Sequence, residues 1–196
     1  MFTGIIRGIG LVAEAALKNS ILRYAIQFPA DLLHGLEQGA SVSVDGACQT
    51  VVKIDQDQIW FEAIGETLER TTLNGLQKGR RVNLERAACF GDEIGGHLLS
   101  GHIYGTAPLI SINQNIYTFR GSSAWMKYLF SKGYIAIDGI SLTLVDVGQD
   151  NFSVHLIPET LSHTNIGQKK LSESANIEID SITQAAVDTV TRLLSR

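Results

Sequence analysis

The stretch VDGACQTV at residues 44–51 decides the fold of this chain, because a matching pattern, IDGISLTL, occupies residues 137–144. The two Asp-Gly blocks are 93 residues apart (137 − 44 = 93). The block IGETL at 64–68 matches IPETL at 157–161 at the same distance (157 − 64 = 93). Blocks that repeat in one register indicate a structural unit that the chain contains twice.

Two further pairs of blocks show how far the duplication extends. VNLE at 82–85 matches ANIE at 175–178 and keeps the offset of 93 (175 − 82 = 93). GIIRG at 4–8 matches GHIYG at 101–105 with an offset of 97 (101 − 4 = 97), so the first copy has about four more residues before its Asp-Gly block. The pattern predicts three parts: a first module at 1–97, a second module at 98–180 and a terminal segment at 181–196.

Each module has the features of an all-β structure. Short runs that are rich in β-branched or aromatic residues, such as 41–44, 59–61 and 154–157, are bounded by Gly, Asn and Asp. Several short strands in about 90 residues suggest a small sandwich or barrel. The Asp-Gly pairs between apolar runs predict tight turns with positive φ. Short helices are predicted just before these turns, at 30–36 and 123–130.

The terminal segment has a different periodicity. Ile182, Ala186, Val190 and Leu193 recur at helical spacing, and Asp180 or Ser181 can cap the first turn. This pattern predicts an amphipathic α-helix of about four turns. Its apolar face can pack on its own chain or on other copies of the chain, and the pattern leaves both arrangements open.

The composition of the 196 residues narrows the class of function. The chain is 44% hydrophobic and 18% charged, which is typical of globular proteins. A net charge of −4 with scattered Lys and Arg disfavours nucleic-acid binding. The apolar runs are shorter than the roughly 18 residues of a membrane span. The first residues lack a signal-peptide pattern, and Cys48 and Cys89 make no disulfide framework, so we expect a cytoplasmic protein.

Five blocks, taken together and in order, resemble the riboflavin synthase family. They are MFTGII at 1–6, VNLER at 82–86, GGHLLSGH at 95–102, IDGISLT at 137–143 and HLIPETL at 155–161. The resemblance extends from residue 1 to about residue 192. It implies two similar six-stranded Greek-key β-barrels in tandem and a C-terminal α-helix, assembled as a homotrimer. The amphipathic tail would then be the trimerisation helix.

The resemblance also implies a reaction. In this family two molecules of 6,7-dimethyl-8-ribityllumazine exchange a four-carbon unit and give riboflavin and 5-amino-6-ribitylamino-uracil. No cofactor takes part, and each barrel holds one lumazine. The productive site joins the N-terminal barrel of one subunit to the C-terminal barrel of its neighbour. An association with lumazine synthase is implied as well.

The duplication itself supplies candidate site residues. Cys48 and Ser141 are equivalent (141 − 48 = 93), as are Thr50 and Thr143 (143 − 50 = 93). Each follows an Asp-Gly turn, where the rim of a barrel would expose a thiol or hydroxyl to a ligand. Small polar residues also satisfy backbone groups in turns, and Cys48 could be a small core residue. The residues alone leave both interpretations open.

The resemblance favours a role in the site. His102 stands where the first copy has Ile5, and histidine suits proton transfer near neutral pH. An ordinary Asp-Gly turn is the alternative for Asp138, and a structural hydrogen bond is the alternative for His97. The catalytic residues that the resemblance implies are Cys48, His102, Asp138, Ser141 and Thr143.

The same resemblance implies a set of substrate contacts. The Glu-Thr pairs at 66–67 and 159–160 are expected at strand ends, and Lys132 is expected to reach a neighbouring subunit's ligand unless it is simply solvated. The implied substrate-binding residues are Phe2, Thr3, Gly4, Ile5, Ile6, Cys48, Gln49, Thr50, Glu62, Ala63, Ile64, Gly65, Glu66, Thr67, Gly101, His102, Ile103, Lys132, Ser141, Leu142, Thr143, Ile157, Pro158, Glu159 and Thr160.

Two departures from the family pattern flank Cys48. Gln49 stands where the family usually has Leu, and Asp45 where it often has Asn, so the shape and charge of the N-terminal site are in question. Non-catalytic lumazine- or flavin-binding proteins share the fold but typically degrade the second module's site. The polar residues retained here favour the enzyme. A zinc site is not expected, since Cys89, His97 and His102 fit no closed zinc pattern.

Overall fold

The computed structural model describes residues 1–195. In it the first copy of the repeat forms a seven-stranded antiparallel sheet. The elements of this copy are β1 (Gly8–Lys18), β2 (Ile21–Gln27), β3 (Ser41–Val44), β4 (Ala47–Thr50), β5 (Lys53–Asp55), β6 (Gln58–Ala63), α1 (Gly65–Arg70) and β7 (Arg81–Arg86). Strand β1 pairs with β2 and β7, and the order along the sheet is β4-β3-β7-β1-β2-β6-β5.

The second copy forms a closed barrel in the order β10-β11-β12-β9-β8-β13. Its elements are β8 (Gly105–Asn113), β9 (Ile116–Arg120), β10 (Tyr134–Ile137), β11 (Ile140–Val147), β12 (Asn151–His155), α2 (Pro158–His163) and β13 (Ser174–Ile179). Helix α3 (Ser181–Leu194) follows this barrel. The predicted architecture of two six-stranded barrels and a terminal helix is confirmed.

The two barrels differ at one strand. In the second barrel β11 runs unbroken for 8 residues and pairs with both β10 and β12. In the first, the equivalent strand is split at Val51 and Val52 into β4, which pairs with β3, and β5, which pairs with β6. The order of pairing is otherwise the same, so the seventh strand is a product of this break.

Both barrels have a filled interior, because inward-facing apolar residues alternate with outward-facing polar ones along the strands. Strand β6 shows the pattern, with Ile59 and Phe61 buried and Glu62 exposed. Stacked aromatic rings lie in each core: Tyr24 with Phe61 at 5.4 Å, and Phe119 with Phe152 at 5.7 Å between ring centroids. Each copy therefore has its own hydrophobic core.

The Asp-Gly turns have the geometry that the sequence predicts. Asp45 and Gly46 have φ of 45° and 85°, and Asp138 and Gly139 have φ of 48° and 80°. Two consecutive residues with positive φ make the two-residue turn that matches the twist of a β-hairpin. The helices predicted before these turns are shorter than expected, and they are single 3₁₀ turns at Ala30–Leu32 and Met126–Tyr128.

Helix α3 is capped by Asp180, whose carboxylate accepts hydrogen bonds from the backbone N–H of Thr183 (2.9 Å) and from its hydroxyl (2.6 Å). The Tyr128 hydroxyl donates to Asp188 at 2.7 Å and docks one side of the helix on the second barrel. The other side exposes Ile182, Val190, Leu193 and Leu194. Arg196, the last residue of the predicted segment, lies outside the described residues. Within residues 1–195, every helix is too short or too polar to cross a membrane.

Candidate active site

The two barrels exchange their first segments. Phe2 and Leu99 lie between the two barrels and form two backbone hydrogen bonds with each other, of 2.8 and 2.9 Å. Beyond this bridge, Gly4 reaches the second barrel and accepts a hydrogen bond from the backbone N–H of Ser141 at 2.8 Å. Gly101 reaches the first barrel and accepts from the N–H of Cys48 at 2.9 Å. Each copy therefore completes the rim of the other.

Glycine is required at both crossing points. Gly4 and Gly101 have φ of 75° and 81°, which disfavours any side chain. A Cβ atom on Gly4 would lie 2.5 Å from the Cβ of Ser141, and one on Gly101 would lie 2.5 Å from the Cβ of Cys48. The exchanged segments thus lie directly on the two residues that the repeat marks as site candidates.

Two buried glutamates hold the exchanged segments in place. Glu85 accepts hydrogen bonds from the backbone N–H of Thr3 at 2.6 Å and from its hydroxyl at 2.7 Å. Glu178 accepts hydrogen bonds from the backbone N–H of Ser100 at 2.6 Å and from its hydroxyl at 2.8 Å. Burial raises the pKa of both carboxyl groups, and the hydrogen bonds that they accept oppose this shift. The sequence interpretation missed these residues, although the blocks at 82–85 and 175–178 retain a glutamate in both copies.

The rim of the first barrel encloses a hollow of about 400 Å³. Cys48 lies on its wall and His102 enters from the second copy. Gln49 is held in the wall, because its amide accepts from the Tyr24 hydroxyl (3.0 Å) and donates to the carbonyl of Cys48 (2.7 Å). Seven of the predicted contacts meet here: Cys48, Gln49, Glu66, Thr67, Gly101, His102 and Ile103.

The rim of the second barrel brings Ser141 against a histidine. The Oγ of Ser141 lies 2.7 Å from Nδ1 of His97, and the two form a hydrogen bond. The imidazole is 8% exposed and stacks on the ring of Tyr134, with 4.9 Å between centroids and 16° between planes. Burial lowers the pKa of His97, and the carboxylate of Asp180 partly opposes this. A neutral imidazole beside a hydroxyl is the pair that nucleophilic catalysis uses.

Comparison with known proteins agrees with this duplicated arrangement. Residues 3–87 and 100–180 each match the lumazine binding domain family. A riboflavin synthase of Chlamydia pneumoniae is 49% identical over 195 residues, which covers 100% of this chain and 98% of that protein. A riboflavin synthase of Escherichia coli (strain K12) is 48% identical over 200 residues, covering 100% of this chain and 94% of that protein. This chain belongs to the riboflavin synthase family.

Solved structures of LumP are similar in three dimensions. LumP complexed with 6,7-dimethyl-8-(1'-D-ribityl) lumazine is 26% identical, has a TM-score of 0.83, and is matched over 92% of this chain and 100% of that chain. LumP complexed with riboflavin is 28% identical with a TM-score of 0.84 and the same coverage. The membership in the riboflavin synthase family that the motifs predict is confirmed.

The Glu-Thr pairs lie in helices, and the expectation that they end strands is wrong. Glu66 and Glu159 occupy the first turns of α1 and α2. Pro158 at the first helical position favours a helix over a continued strand. In α1, Glu66 pairs with Arg70, with 3.1 Å between Oε1 and Nε. In α2 the equivalent Glu159 lies 3.2 Å from Nδ1 of His163. Arg70 also lines the first hollow, and the sequence interpretation missed it.

Asp138 does not line the 400 Å³ hollow, and its side chain is fully buried where the two barrels meet. One carboxylate oxygen accepts from the backbone N–H of Asn176 (2.7 Å), and the other lies 2.9 Å from Nζ of Lys169. Asp45 mirrors this, accepting from the N–H of Asn83 at 2.7 Å. Asp138 therefore contributes to the contact between the barrels, three residues before Ser141.

The Asp45 carboxyl group lies farther from a cation than its counterpart does, although it also accepts a hydrogen bond from the Asn165 amide at 2.8 Å. Its nearest cation is Arg80, at 3.6 Å, whereas Asp138 has Lys169 at 2.9 Å. Burial and the nearby charge of Asp138 raise the pKa of Asp45 to about 7. Asp45, at the position where the family often has Asn, is thus a fully buried acid with a raised pKa.

The remaining predicted contacts occupy several kinds of position. Phe2, which forms the bridge with Leu99, and Thr3 are buried, and Ile5 and Ile6 are half-buried. Ala63 and Leu142 belong to the hydrophobic cores of the barrels. Lys132 is exposed in a turn with φ of 71°. The others lie on the surface near the rims, with Thr160 half-buried: Thr50, Glu62, Ile64, Gly65, Thr143, Ile157, Pro158, Glu159 and Thr160.

Proposed function

We propose that this riboflavin synthase family enzyme converts two molecules of 6,7-dimethyl-8-ribityllumazine into riboflavin and 5-amino-6-ribitylamino-uracil. The observation that carries this proposal is the pair of equivalent rims, each with a nucleophilic side chain and each completed by the other copy. Two identical substrates require two similar binding sites, and the duplicated fold supplies them. The match of both modules to the lumazine binding domain supports the same substrate.

The chemistry requires two lumazines in different states. One loses a proton from its 7-methyl group and becomes a carbon nucleophile, while the other is activated at C7 by addition of a nucleophile. Cys48 and Ser141 are the candidates for that addition, and His102 is the candidate acid–base group at the first rim. Thr143, two residues from Ser141 on β11, is assigned to substrate contact. Asp138 would act indirectly, by fixing the turn that precedes Ser141 through its hydrogen bond from Asn176.

Holding the two rings face to face would supply much of the rate. In one chain the two nucleophiles lie on separate rims, so we propose that the productive site forms between the first barrel of one subunit and the second barrel of another. The apolar face of α3, with Ile182, Val190, Leu193 and Leu194 exposed, supports assembly through this helix. A homotrimer closes such a head-to-tail arrangement. Lys132, exposed beside the second rim, would then reach the neighbour's ligand.

We further infer that the enzyme works without a cofactor, in the cytoplasm, and in association with lumazine synthase. The reaction only redistributes atoms between two identical molecules, so it requires no electron acceptor. Two cysteines present as thiols support a reducing compartment.

An absorbance assay tests the activity. Purified protein with ribityllumazine and a metal chelator should give riboflavin and the pyrimidine in equal amounts. If the protein instead binds one lumazine per chain, fluoresces and forms no riboflavin over hours, it is a non-catalytic binder. In that outcome Gln49 and Asp45, beside Cys48, would be the first positions to revert.

A further inference from the structure

The second rim contains an aromatic contact that the first rim lacks. Tyr134, at the start of β10, stacks on His97 with 4.9 Å between ring centroids and nearly parallel planes. On its edge, His97 forms the 2.7 Å hydrogen bond to Ser141 through Nδ1. The tyrosine is 52% exposed and the histidine 8%, so the phenol ring lies between one face of the imidazole and solvent.

We propose that Tyr134 is a positioning residue, which holds the His97 imidazole against Ser141 and so gives the second barrel's hydroxyl a base of its own. The inference rests on the proposed function and deepens it. An imidazole that is free to turn about its side-chain bonds would lose the alignment of Nδ1 with Oγ. A flat ring packed on one face restricts that motion, and an offset-stacked arrangement of this kind is favourable.

The proton balance of the step is simple. Ser141 Oγ adds to C7 of the bound lumazine, the π bond at C7 opens and its electron pair moves through the conjugated ring to the ring nitrogens and carbonyls, and the hydroxyl proton passes to Nδ1 of His97. When the adduct later breaks down, the C–O bond breaks and the proton returns to Oγ. His97 must be neutral to accept the proton, which agrees with its burial. The titratable and charged groups around the ring are Asp180, which precedes α3, and Tyr134 itself.

The aromatic member of this pair has no counterpart in the first copy. The position equivalent to Tyr134 is Ser41 (134 − 93 = 41). Cys48 instead shares its hollow with His102. A thiol ionises more readily than a hydroxyl, so it has less need of an aligned base. The stacked pair therefore accompanies the nucleophile that needs activation.

Four variants of the full-length protein test the proposal: Tyr134→Phe, Tyr134→Ala, His97→Asn and the double variant Tyr134→Ala with His97→Asn. Tyr134→Phe keeps the ring and should retain kcat within about twofold. Tyr134→Ala should lower kcat by about 10-fold or more with a nearly unchanged KM, and should change the pH profile of kcat. Adding Tyr134→Ala to His97→Asn should cost little more, because both act through one contact.

A nuclear magnetic resonance titration of the His97 ring gives a readout that does not depend on turnover. In Tyr134→Ala the pKa of His97 should rise towards its ordinary value, because solvent reaches the ring, and in Tyr134→Phe it should stay at the wild-type value. An unchanged pKa of His97 in Tyr134→Ala would overturn the proposal. So would additive losses of kcat in the double variant, or a kcat of Tyr134→Phe as low as that of Tyr134→Ala. If the wild-type protein makes no riboflavin, the proposed function fails, while the titration still decides the positioning.

Discussion

The two copies of the repeat share one arrangement of strands, but the side chains around Cys48 differ from those around its counterpart, Ser141. At the first rim Cys48 has His102 from the other copy and a permanent cation, Arg70, within the same hollow. At the second rim Ser141 has a buried His97 as its hydrogen-bond partner. A duplicated module can therefore bind the same ligand twice while treating the two bound molecules differently. A dismutation requires this, since one substrate must donate and the other must accept.

Removal of α3 should have the largest effect on activity. A chain that ends at Asp180 keeps both barrel cores but loses the apolar face of residues 182–194. We expect assembly to weaken, and turnover to fall with it, because the proposed site needs barrels from two subunits. Solution scattering with a parallel activity assay would measure both quantities. A monomeric full-length protein that turns over ribityllumazine would refute the shared site.

Substitution of the nucleophiles should separate the two rims. Ser141→Ala is expected to lower kcat by roughly 10²- to 10³-fold, as when a group that stabilises the transition state is removed. Cys48→Ser should also lower turnover more than it lowers ligand affinity. Steady-state kinetics with riboflavin titrations would show the split. Equal losses in affinity and turnover would mean that these side chains only bind the substrate.

His102→Gln tests the histidine that crosses from the second copy to the first rim. Its loss should lower kcat by about 10²-fold, which is typical of a removed acid–base group. The matched control is His34→Gln, at an exposed histidine that does not line this hollow, and it should stay near the wild-type rate. If both variants lose activity to the same degree, the loss does not come from proton transfer by His102.

The sequence could predict what depends on neighbouring residues. The Asp-Gly turns, the short strands and the helical stripe of α3 each follow from a local pattern, and the repeat showed that they occur in two modules. The exchange of first segments depends on contacts such as Thr3 with Glu85, which are 82 positions apart. No periodicity reveals such a pairing. For the same reason the sequence did not reveal that the Asp138 carboxylate lies against Lys169 in the contact between the barrels.

Because of the exchange, residues 1–97 supply only part of the wall of the first hollow. The wall of the first hollow includes Gly101, His102 and Ile103, which belong to the other module. We still predict that an isolated first module pairs with itself, because Gly4 of one copy could then lie against Cys48 of its partner in the place of Gly101. Its riboflavin affinity should exceed that of the isolated second module.

Deleting residues 1–6 from the isolated first module sharpens this prediction. The shortened module should remain monomeric and lose most of its riboflavin binding, because nothing replaces the crossing segment. Size-exclusion chromatography and fluorescence titration would report both properties. A shortened module that still pairs and binds would show that the crossing segment is dispensable, and equal affinities of the two full modules would remove the proposed inequality.

Asp45→Asn should have the smallest effect on turnover, within about threefold of wild type, because an amide oxygen can accept the same hydrogen bond from Asn83. Its matched control is Asp138→Asn. That change leaves Lys169 buried without the carboxylate that lies 2.9 Å away, and should destabilise the protein by about 3 kcal/mol or more. If the two variants lose turnover and stability to the same degree, the proposed difference between Asp45 and Asp138 in their pairing with a cation is wrong.

The pH dependence of stability should distinguish Asp45→Asn from wild type more clearly than turnover does. The folded-state pKa of Asp45 is raised to about 7, so the folded protein binds its proton more tightly than the unfolded chain does. The resulting stabilisation is present at low pH and is lost as pH rises from the ordinary value near 4 to about 7. Wild-type stability should therefore fall across this window, and Asp45→Asn should remove that fall. Urea unfolding at several pH values would measure it. If both proteins show the same slope, the pH dependence does not come from Asp45.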